Sequence, residues 1–251
     1  MELSPTTLLY VSFLVLVIAA LYSSVGHGGA SGYLAVLSFF SVPPDQMAST
    51  ALILNVIVSG IATFTFVRAG YFSARLFWPF AVTSIPLAFV GGFYRISDPL
   101  YYLLLAFALL IASFRLSLPR TVAVHSADTR PLHLAVAFPM GGAVGLLSGM
   151  VGIGGGIFLS PVMMLLRWAT AKETAAVAAV FILVNSLAGI GGRMTRGGLD
   201  LLPTAIPLLA AVAGGLLGSY LGAHHFTSLS LRRVLAVVLI LAAIKLTIAA
   251  L

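Results

Sequence analysis

The chain has no cysteine and few charged residues, and these two shortages exclude most functions of soluble proteins. Without cysteine it cannot form disulfides, use thiolate chemistry or offer cysteine ligands to a metal. Only 8% of the residues are charged while 61% are hydrophobic, and the mean hydropathy is +1.14. Apolar stretches of about 20 residues recur along the whole length, as bilayer-spanning segments require. The sequence therefore predicts a multi-pass membrane protein of the cell (inner) membrane.

Acidic residues are scarcer than basic ones, which gives a formal net charge of +7. This excess does not indicate a nucleic-acid partner, because the basic residues are scattered singly or in pairs between apolar segments, as topology signals are. His224 and His225 have no carboxylate or cysteine nearby, so no metal site is predicted. The lipid bilayer and a small anionic substrate are the expected partners, no cofactor is expected, and a homodimer is left open.

Hydropathy predicts ten helical segments in two groups of five, an all-α transmembrane fold. The segments are 6–24, 30–42, 47–67, 76–94, 99–118, 132–150, 156–167, 174–192, 201–222 and 229–250. This organisation predicts a first transmembrane repeat over 1–118, a cytoplasmic connector over 119–131 and a second repeat over 132–251. The second and seventh segments are too short to cross about 30 Å of hydrocarbon at 1.5 Å per residue.

A glycine-rich motif occurs at corresponding places in the two halves. It reads SVGHGGA over 24–30 and MVGIGGG over 150–156. Glycine weakens a helix and exposes backbone that lipid cannot satisfy, so it is tolerated at membrane depth only against protein or a water-filled cavity. The motif predicts glycine-broken helices or re-entrant hairpins at segments 1–2 and 6–7. Paired interruptions of this kind point to the binding site of a transporter.

Other residues also match when the halves are laid over each other, and their order supports an internal duplication. Asn55 falls on Asn185 after a four-residue insertion, and Gly91 falls on Gly218. Between them, the Arg-x-Gly pattern at 68–70 meets the one at 196–198.

The positive-inside rule orients the two repeats. With the N-terminus outside, nine Lys or Arg residues lie on the cytoplasmic side and three lie outside, namely Arg95, Arg193 and Arg196. Both termini are therefore predicted to lie outside. Each half makes an odd number of crossings, so the repeats are predicted to be inverted. If a short segment does not return across the membrane as assumed, the repeats become parallel instead.

A helix that begins directly after a glycine turn presents unpaired N–H groups and the positive end of its dipole. Two such starts around one cavity can hold an oxyanion without a buried lysine. The alternative is that these glycines only allow close helix packing. The predicted substrate-binding residues are Ser24, Gly26, His27, Gly28, Gly29, Ser31, Asn55, Gly152, Gly154, Gly155, Gly156 and Asn185.

Single polar residues within apolar segments carry further hypotheses. His27 can change charge near physiological pH, so it is a candidate for proton coupling; the alternative is a neutral histidine bonded to a backbone carbonyl. Asn55 and Asn185 either brace the glycine loops or touch substrate, or they bond to neighbouring helices. Arginines at segment ends, such as Arg193, are expected to snorkel to the interface, and so is Lys245. The alternative for the arginines is anion attraction, and the alternative for Lys245 is an inward role in ion coupling.

The Gly-x-Gly-Gly-Gly signature at 152–156, its degenerate partner at 26–30 and their placement in two similar halves resemble the TauE/SafE sulfite exporter family, also called the toluene sulfonate uptake permeases. The likeness in size and layout covers essentially the whole chain, although the first copy has His27 where the second has Ile153. The resemblance implies a secondary carrier for sulfite, sulfonates or related organic acids, coupled to an ion gradient.

Rival functions remain at this point. An anion channel could use the same helix ends, and the anion could be a small carboxylate. A membrane-embedded enzyme would need a nucleophile–base pair or a metal cluster, and neither is visible in the sequence. A purely structural subunit would leave the duplicated glycines unexplained.

Overall fold

The computed structural model describes residues 4–23, 28–117, 129–201, 205–224 and 229–251. Helices joined by short turns make up this part of the chain. Its ten helices are α1 (Pro5–Ser23), α2 (Ala30–Phe39), α3 (Pro44–Arg68), α4 (Ala74–Phe93), α5 (Asp98–Ser117), α6 (Leu134–Val151), α7 (Gly156–Leu165), α8 (Ala171–Arg196), α9 (Ala205–His224) and α10 (Leu229–Ala250). The all-helical prediction is confirmed, with one helix for each predicted segment.

Within the described residues, five helices are long and apolar enough to cross a membrane: α1, α3, α4, α6 and α8. Large apolar side chains such as Phe13, Trp78 and Phe107 are more than half exposed. An exposed apolar surface of this kind suits contact with lipid. The chain therefore has the build of a multi-pass membrane protein.

The observed helix ends differ from the predicted ones by at most four residues, and α8 differs most. This helix begins before its apolar run, because the Thr170 side chain and Glu173 form a capping box. It also continues past the apolar run to Arg196. Hydropathy does not register a polar cap or a charged last turn, so it underestimates the length of such a helix.

The two short helices begin in the same way. Gly29 precedes α2 with φ 89°, and Gly155 precedes α7 with φ 82°. This left-handed conformation is one that glycine adopts without a Cβ clash. Each glycine carbonyl then accepts the first two helical N–H bonds. The predicted broken helices after the glycine motif are therefore present in both halves.

The two short helices also end in the same way. Ser41 follows α2 with φ 54°, and Arg167 follows α7 with φ 55°. Backbone N–H groups from the residues after these turns return to the last turn of each helix, over 3.3 Å and 2.9 Å. These contacts satisfy carbonyls that a helix end leaves free.

Helices α3 and α8 pack antiparallel along their length. At one end the Lys172 ammonium donates to the Tyr71 hydroxyl over 2.9 Å, and at the other Arg196 binds Asp45 over 2.7 Å. We call these the Lys172 end and the Asp45 end of the bundle. Helix α2 leads into the start of α3 at the Asp45 end, whereas α7 leads into the start of α8 at the Lys172 end. The short helices therefore run towards opposite ends.

The other helices pair across the two sequence halves. Helix α4 packs against α6 and α8, α1 against α9, and α5 against α10. Small residues allow the closest approaches: a Cβ at Gly149 would overlap the Ala88 carbonyl oxygen, and a Cβ at Gly218 would overlap that of Ala20. One apolar cluster joins α4, α6, α7 and α8, and a larger one joins the remaining helices to the end of α6 and the start of α7. The cores thus draw on both halves.

Candidate functional site

Both glycine breaks converge on the side chain of Asn55, in the middle of α3. A Cβ built on Gly28 would lie 2.6 Å from Asn55 Oδ1, and one built on Gly154 would lie 2.8 Å from Asn55 Nδ2. Either position would overlap the amide if it carried a side chain. Glycine at both positions lets the two breaks approach the same amide from different directions.

Helix α8 completes the surroundings of this amide. The Ile182 side chain lies within 3.1 Å of the Cβ position of Gly28 and also lies against the Cβ positions of Gly154 and Gly156. The Ser186 hydroxyl lies 3.1 Å from the Cβ position of Gly154. We call Gly28, Asn55, Gly154, Ile182 and Ser186 the central site.

The central site contains buried polar atoms that lack a hydrogen bond. Within the described residues, Asn55 Oδ1 and Nδ2 and Ser186 Oγ have no partner, and both residues are 0% exposed. A buried polar group without a partner costs about 1–3 kcal/mol. Native proteins keep few such groups, and each one calls for a reason. Here two donors and an acceptor without partners in the described part of the chain lie where the two breaks meet.

Asn185 differs from its predicted counterpart Asn55. Its Nδ2 donates to the Phe181 carbonyl of its own helix over 2.8 Å, whereas its Oδ1 has no partner within the described residues. Asn185 adjoins Ser186 in the chain and is also 0% exposed. The match between the two asparagines therefore extends to position and burial but not to their contacts.

The first break has a hydroxyl-rich lining. The Ser31 hydroxyl hydrogen-bonds that of Tyr22 over 2.7 Å. The Tyr33 hydroxyl is buried without a partner in the described part of the chain, and it lies 2.8 Å from the Cβ position of Gly29. Ser31 is thus engaged with a neighbouring side chain, while Tyr33 holds an unused donor beside the start of α2.

At Gly155, where α7 begins, the second break is lined by apolar side chains, in contrast to the Ser186 hydroxyl beside Gly154. A Cβ at Gly155 would lie 2.8 Å from both Phe181 and Val144. Gly152 ends α6 with φ 87° and packs against the backbone of Ala48. Three predicted site residues of the first break, Ser24, Gly26 and His27, lie outside the described residues, as does most of the predicted connector 119–131.

A cluster of charges surrounds Asp45 at its end of the bundle. Its carboxylate accepts from Arg95 over 2.5 Å, Arg196 over 2.7 Å and Arg193 over 3.2 Å. Asp45 lies in the first turn of α3, where a carboxylate also complements the helix dipole. The three arginines come from the segment between α4 and α5 and from the end of α8.

The predicted snorkelling of Arg193 is wrong. Its side chain is 2% exposed, and it donates to the carbonyls of Gly149 over 3.3 Å and Met150 over 2.9 Å as well as to Asp45. The free carbonyls at the end of α6 and one carboxylate accept from both terminal amino groups of the guanidinium, although its Nε has no partner within the described residues. Arg193 thereby ties α8 to the helix end that precedes the second break.

Lys245 does not point away from the bundle either. Its ammonium lies against the end of α2 and donates to the carbonyls of Ser38 and Phe39 and to the Ser41 hydroxyl. A cation here satisfies free carbonyls and complements the negative end of the helix dipole. Lys245 therefore anchors α2 at the end opposite to the glycine break.

Comparison with known proteins identifies the family. A family model described as sulfite exporter TauE/SafE matches residues 11–246. The chain therefore belongs to the TauE/SafE family. This TauE/SafE protein is also 36% identical over 238 residues to the probable membrane transporter protein y4hK of Sinorhizobium fredii (strain NBRC 101917 / NGR234), and the match covers 92% of this chain and 94% of the relative. No solved structure matches the chain.

Family membership makes this TauE/SafE protein a membrane transporter. The structure adds residues that sequence reasoning missed, namely Ser186, Ile182 and Tyr33. Ser186 follows the predicted Asn185, and Tyr33 lies one helical turn after Gly29. Proximity to a predicted residue was the signal that could have identified both of them.

Proposed function

We propose that this TauE/SafE protein is a secondary transporter for sulfite, an organosulfonate or a related small sulfur oxyanion or organic acid. It works by alternating access and is coupled to an ion gradient. The observation that carries the proposal is the convergence of both glycine breaks on the unpartnered Asn55 amide. A secondary transporter keeps its substrate site where two broken helices meet near the bilayer midplane.

The polarity of the central site favours an anion. Helices α2 and α7 both begin at the breaks, so their positive dipole ends face this region. Asn55 Nδ2 and the Ser186 hydroxyl are donors, and backbone without a Cβ lets an oxyanion approach closely. This arrangement supplies partial positive charge without the desolvation cost of a buried lysine or arginine.

We propose further that the two halves are inverted repeats. The matched starts and ends of α2 and α7 and their opposite directions support this proposal. So do the helix pairings. A Cβ at Gly91 of α4 would overlap the Leu146 carbonyl of α6, just as one at Gly218 of α9 would overlap the Ala20 carbonyl of α1. Two copies of one packing arrangement are what a duplicated unit with a two-fold relation produces.

The proposed orientation places the Asp45 end outside, together with both termini. The three arginines that the positive-inside rule places outside all bind Asp45; they are Arg95, Arg193 and Arg196. At the other end, Lys172 lies near Tyr71, and the Arg130 N–H donates to the Arg167 carbonyl over 2.7 Å. Lys172, Arg130 and Arg167, which the positive-inside rule assigns to the cytoplasm, thus lie at the Lys172 end.

Alternating access requires movement, and burial of the central site is consistent with that requirement. Asn55 and Ser186 are 0% exposed, so an anion must gain access through rearrangement of the breaks. His27 precedes Gly28 in the chain, and we propose that it carries the coupling proton because histidine changes charge near physiological pH. Substitution of His27 by glutamine should then flatten the pH dependence of transport.

The central-site proposal is tested by measuring sulfite flux in proteoliposomes for two variants, each of which replaces one glycine with alanine. Gly28→Ala places a Cβ 2.6 Å from Asn55 Oδ1 and should lower flux at least about tenfold, since small displacements at a site cost that much. Gly60→Ala is the matched control, because no atom of the described part of the chain lies within 4 Å of its Cβ position. Normal flux in Gly28→Ala would exclude the central site.

A second variant separates function from folding. Asn55→Leu removes a buried amide that has no hydrogen-bond partner, so its melting temperature should be unchanged or higher. Sulfite flux should nevertheless be lost. Flux that saturates and shows counterflow supports a carrier, whereas non-saturating flux without counterflow indicates an anion channel. Counterflow with carboxylates but not with sulfite would assign the substrate to the carboxylate class.

A further inference from the structure

The Asp45 end of the bundle contains a cavity that the central site does not include. Its volume is about 400 Å³, and it is lined by Asp45, Arg95, Arg196, Gly197, Gly198, Leu199 and Asp200. Among the described residues, no atom lies within 4 Å of a Cβ position on Gly197 or Gly198. This side of the cavity is therefore open backbone, with room for a small molecule beside the two arginines.

Burial divides the three arginines around Asp45 into two kinds. The Arg193 side chain is 2% exposed and is also bound to the carbonyls at the end of α6. The Arg196 side chain is 18% exposed and that of Arg95 is 74% exposed, and both line the cavity. Arg193 therefore has a positioning role, whereas Arg95 and Arg196 are accessible to a ligand.

The charges of the cluster do not balance. Three guanidinium groups share the carboxylate of Asp45. The second carboxylate of the cavity, on Asp200, accepts from the Gln46 amide over 3.0 Å. With both carboxylates counted, one positive charge is in excess, and a single monovalent anion would neutralise the cluster. Guanidinium groups match the geometry of oxyanions and bind them with two parallel hydrogen bonds.

We propose that this cavity is an anion-binding vestibule, in which a small oxyanion competes with Asp45 for Arg95 and Arg196. Asp45 acts as the internal counter-ion when the vestibule is empty. Asn55 lies ten residues further along α3, about 15 Å along the helix axis. The statement that an anion occupies the vestibule before the central site rests on the proposed function. The statement that the vestibule binds an anion does not.

Binding is tested with sulfite and purified full-length protein at low chloride and low ionic strength, because salt screens exposed charges. The Asn55→Leu background removes binding at the central site, so the remaining signal belongs to the vestibule. In this background, Arg95→Gln and Arg196→Gln should each weaken sulfite binding at least about tenfold, the effect of losing a charge-assisted contact. Unchanged binding in both variants would overturn the vestibule.

Arg75→Gln is the matched control. Arg75 is exposed near the start of α4, whereas Arg95 follows the end of the same helix, so the two substitutions remove equal charge at opposite ends of the bundle. Sulfite binding should be unchanged in Arg75→Gln. An equal loss in Arg75→Gln and Arg95→Gln would show a non-specific effect of net charge and overturn the site.

Asp45→Asn tests the competition itself. Asparagine keeps an oxygen acceptor for the arginines but removes the competing negative charge, so sulfite should bind more tightly by several-fold. Weaker binding would refute competition. Binding and transport together separate the two proposals. If sulfite binding is lost in Arg95→Gln but the unsubstituted protein transports no anion, the vestibule is supported and the transporter mechanism is refuted.

Discussion

The two glycine breaks have the same backbone but different linings. Gly29 and Gly155 begin their helices with nearly equal φ angles. The first break faces the Tyr33 hydroxyl, whereas the second faces Phe181 and Val144. The comparison separates two properties of the site. The positive helix ends are repeated, whereas the Tyr33 hydroxyl beside Gly29 has no counterpart in Phe181 and Val144 beside Gly155.

The breaks are also anchored differently. On the second, buried Arg193 holds the end of α6 just before the break. On the first, half-buried Lys245 holds the end of α2, ten residues after the break. The anchor on the second break therefore lies close to the glycines and is excluded from water, so its loss should have the larger effect.

The largest expected effect is that of Arg193→Met. It leaves Asp45 with one arginine fewer and frees the carbonyls of Gly149 and Met150, so the free energy of unfolding should fall by about 3 kcal/mol. Thermal unfolding in detergent measures the change. Arg68→Met is the control, because Arg68 is exposed, and its effect should stay within about 0.5 kcal/mol. Equal melting temperatures for both variants would contradict a buried anchor.

A smaller effect is expected from Gly29→Ala and Gly155→Ala. Each places a Cβ on a left-handed residue, which costs about 1–2 kcal/mol, and each crowds a neighbouring aromatic ring. Sulfite flux should fall to a similar extent in both variants. Gly70→Ala has the same strain at φ 76° but no neighbour within 4 Å in the part of the chain that the structure describes, so it should lose stability without losing flux. Full flux in either Gly29→Ala or Gly155→Ala would show that transport does not depend on the left-handed glycine at both breaks.

The smallest effect is expected from Tyr33→Phe, which tests the lining. The hydroxyl has no hydrogen-bond partner within the described residues, so its removal should change the free energy of unfolding by less than about 1 kcal/mol. The KM for sulfite should rise a few-fold. Tyr101→Phe should lower the free energy of unfolding but leave the KM for sulfite unchanged, because the Tyr101 hydroxyl donates to the Val151 carbonyl over 3.2 Å. An unchanged KM in Tyr33→Phe would show that the Tyr33 hydroxyl does not make the two linings differ in sulfite binding.

The helices and the two breaks could be predicted from the sequence because each depends on local pattern. Apolar runs set the ten helices to within four residues, and glycine clusters set the breaks. Asn55 stood out because a polar residue inside an apolar run needs a reason. These signals all lie within a short stretch of chain, where hydropathy and backbone preference decide the outcome.

The rest of the site depends on contacts between distant segments. Arg193 ends an apolar run, which predicts an interface position. It is buried because Asp45, 148 residues earlier, and the end of α6 both reach it. Ser186 and Tyr33 become notable only once helices place them beside glycines. No single stretch of sequence contains the information that two breaks meet at one amide.

The pairing of helices across the halves has a consequence for how the protein is made. Helix α1 packs against α9, and roughly 180 residues separate them in the chain. At 5–20 residues per second, a ribosome needs about 10–40 s to supply that partner. During this interval the Ser23 hydroxyl of α1 lacks its acceptor, the Gly215 carbonyl. The final packing of α1 therefore cannot form before α9 has been synthesised.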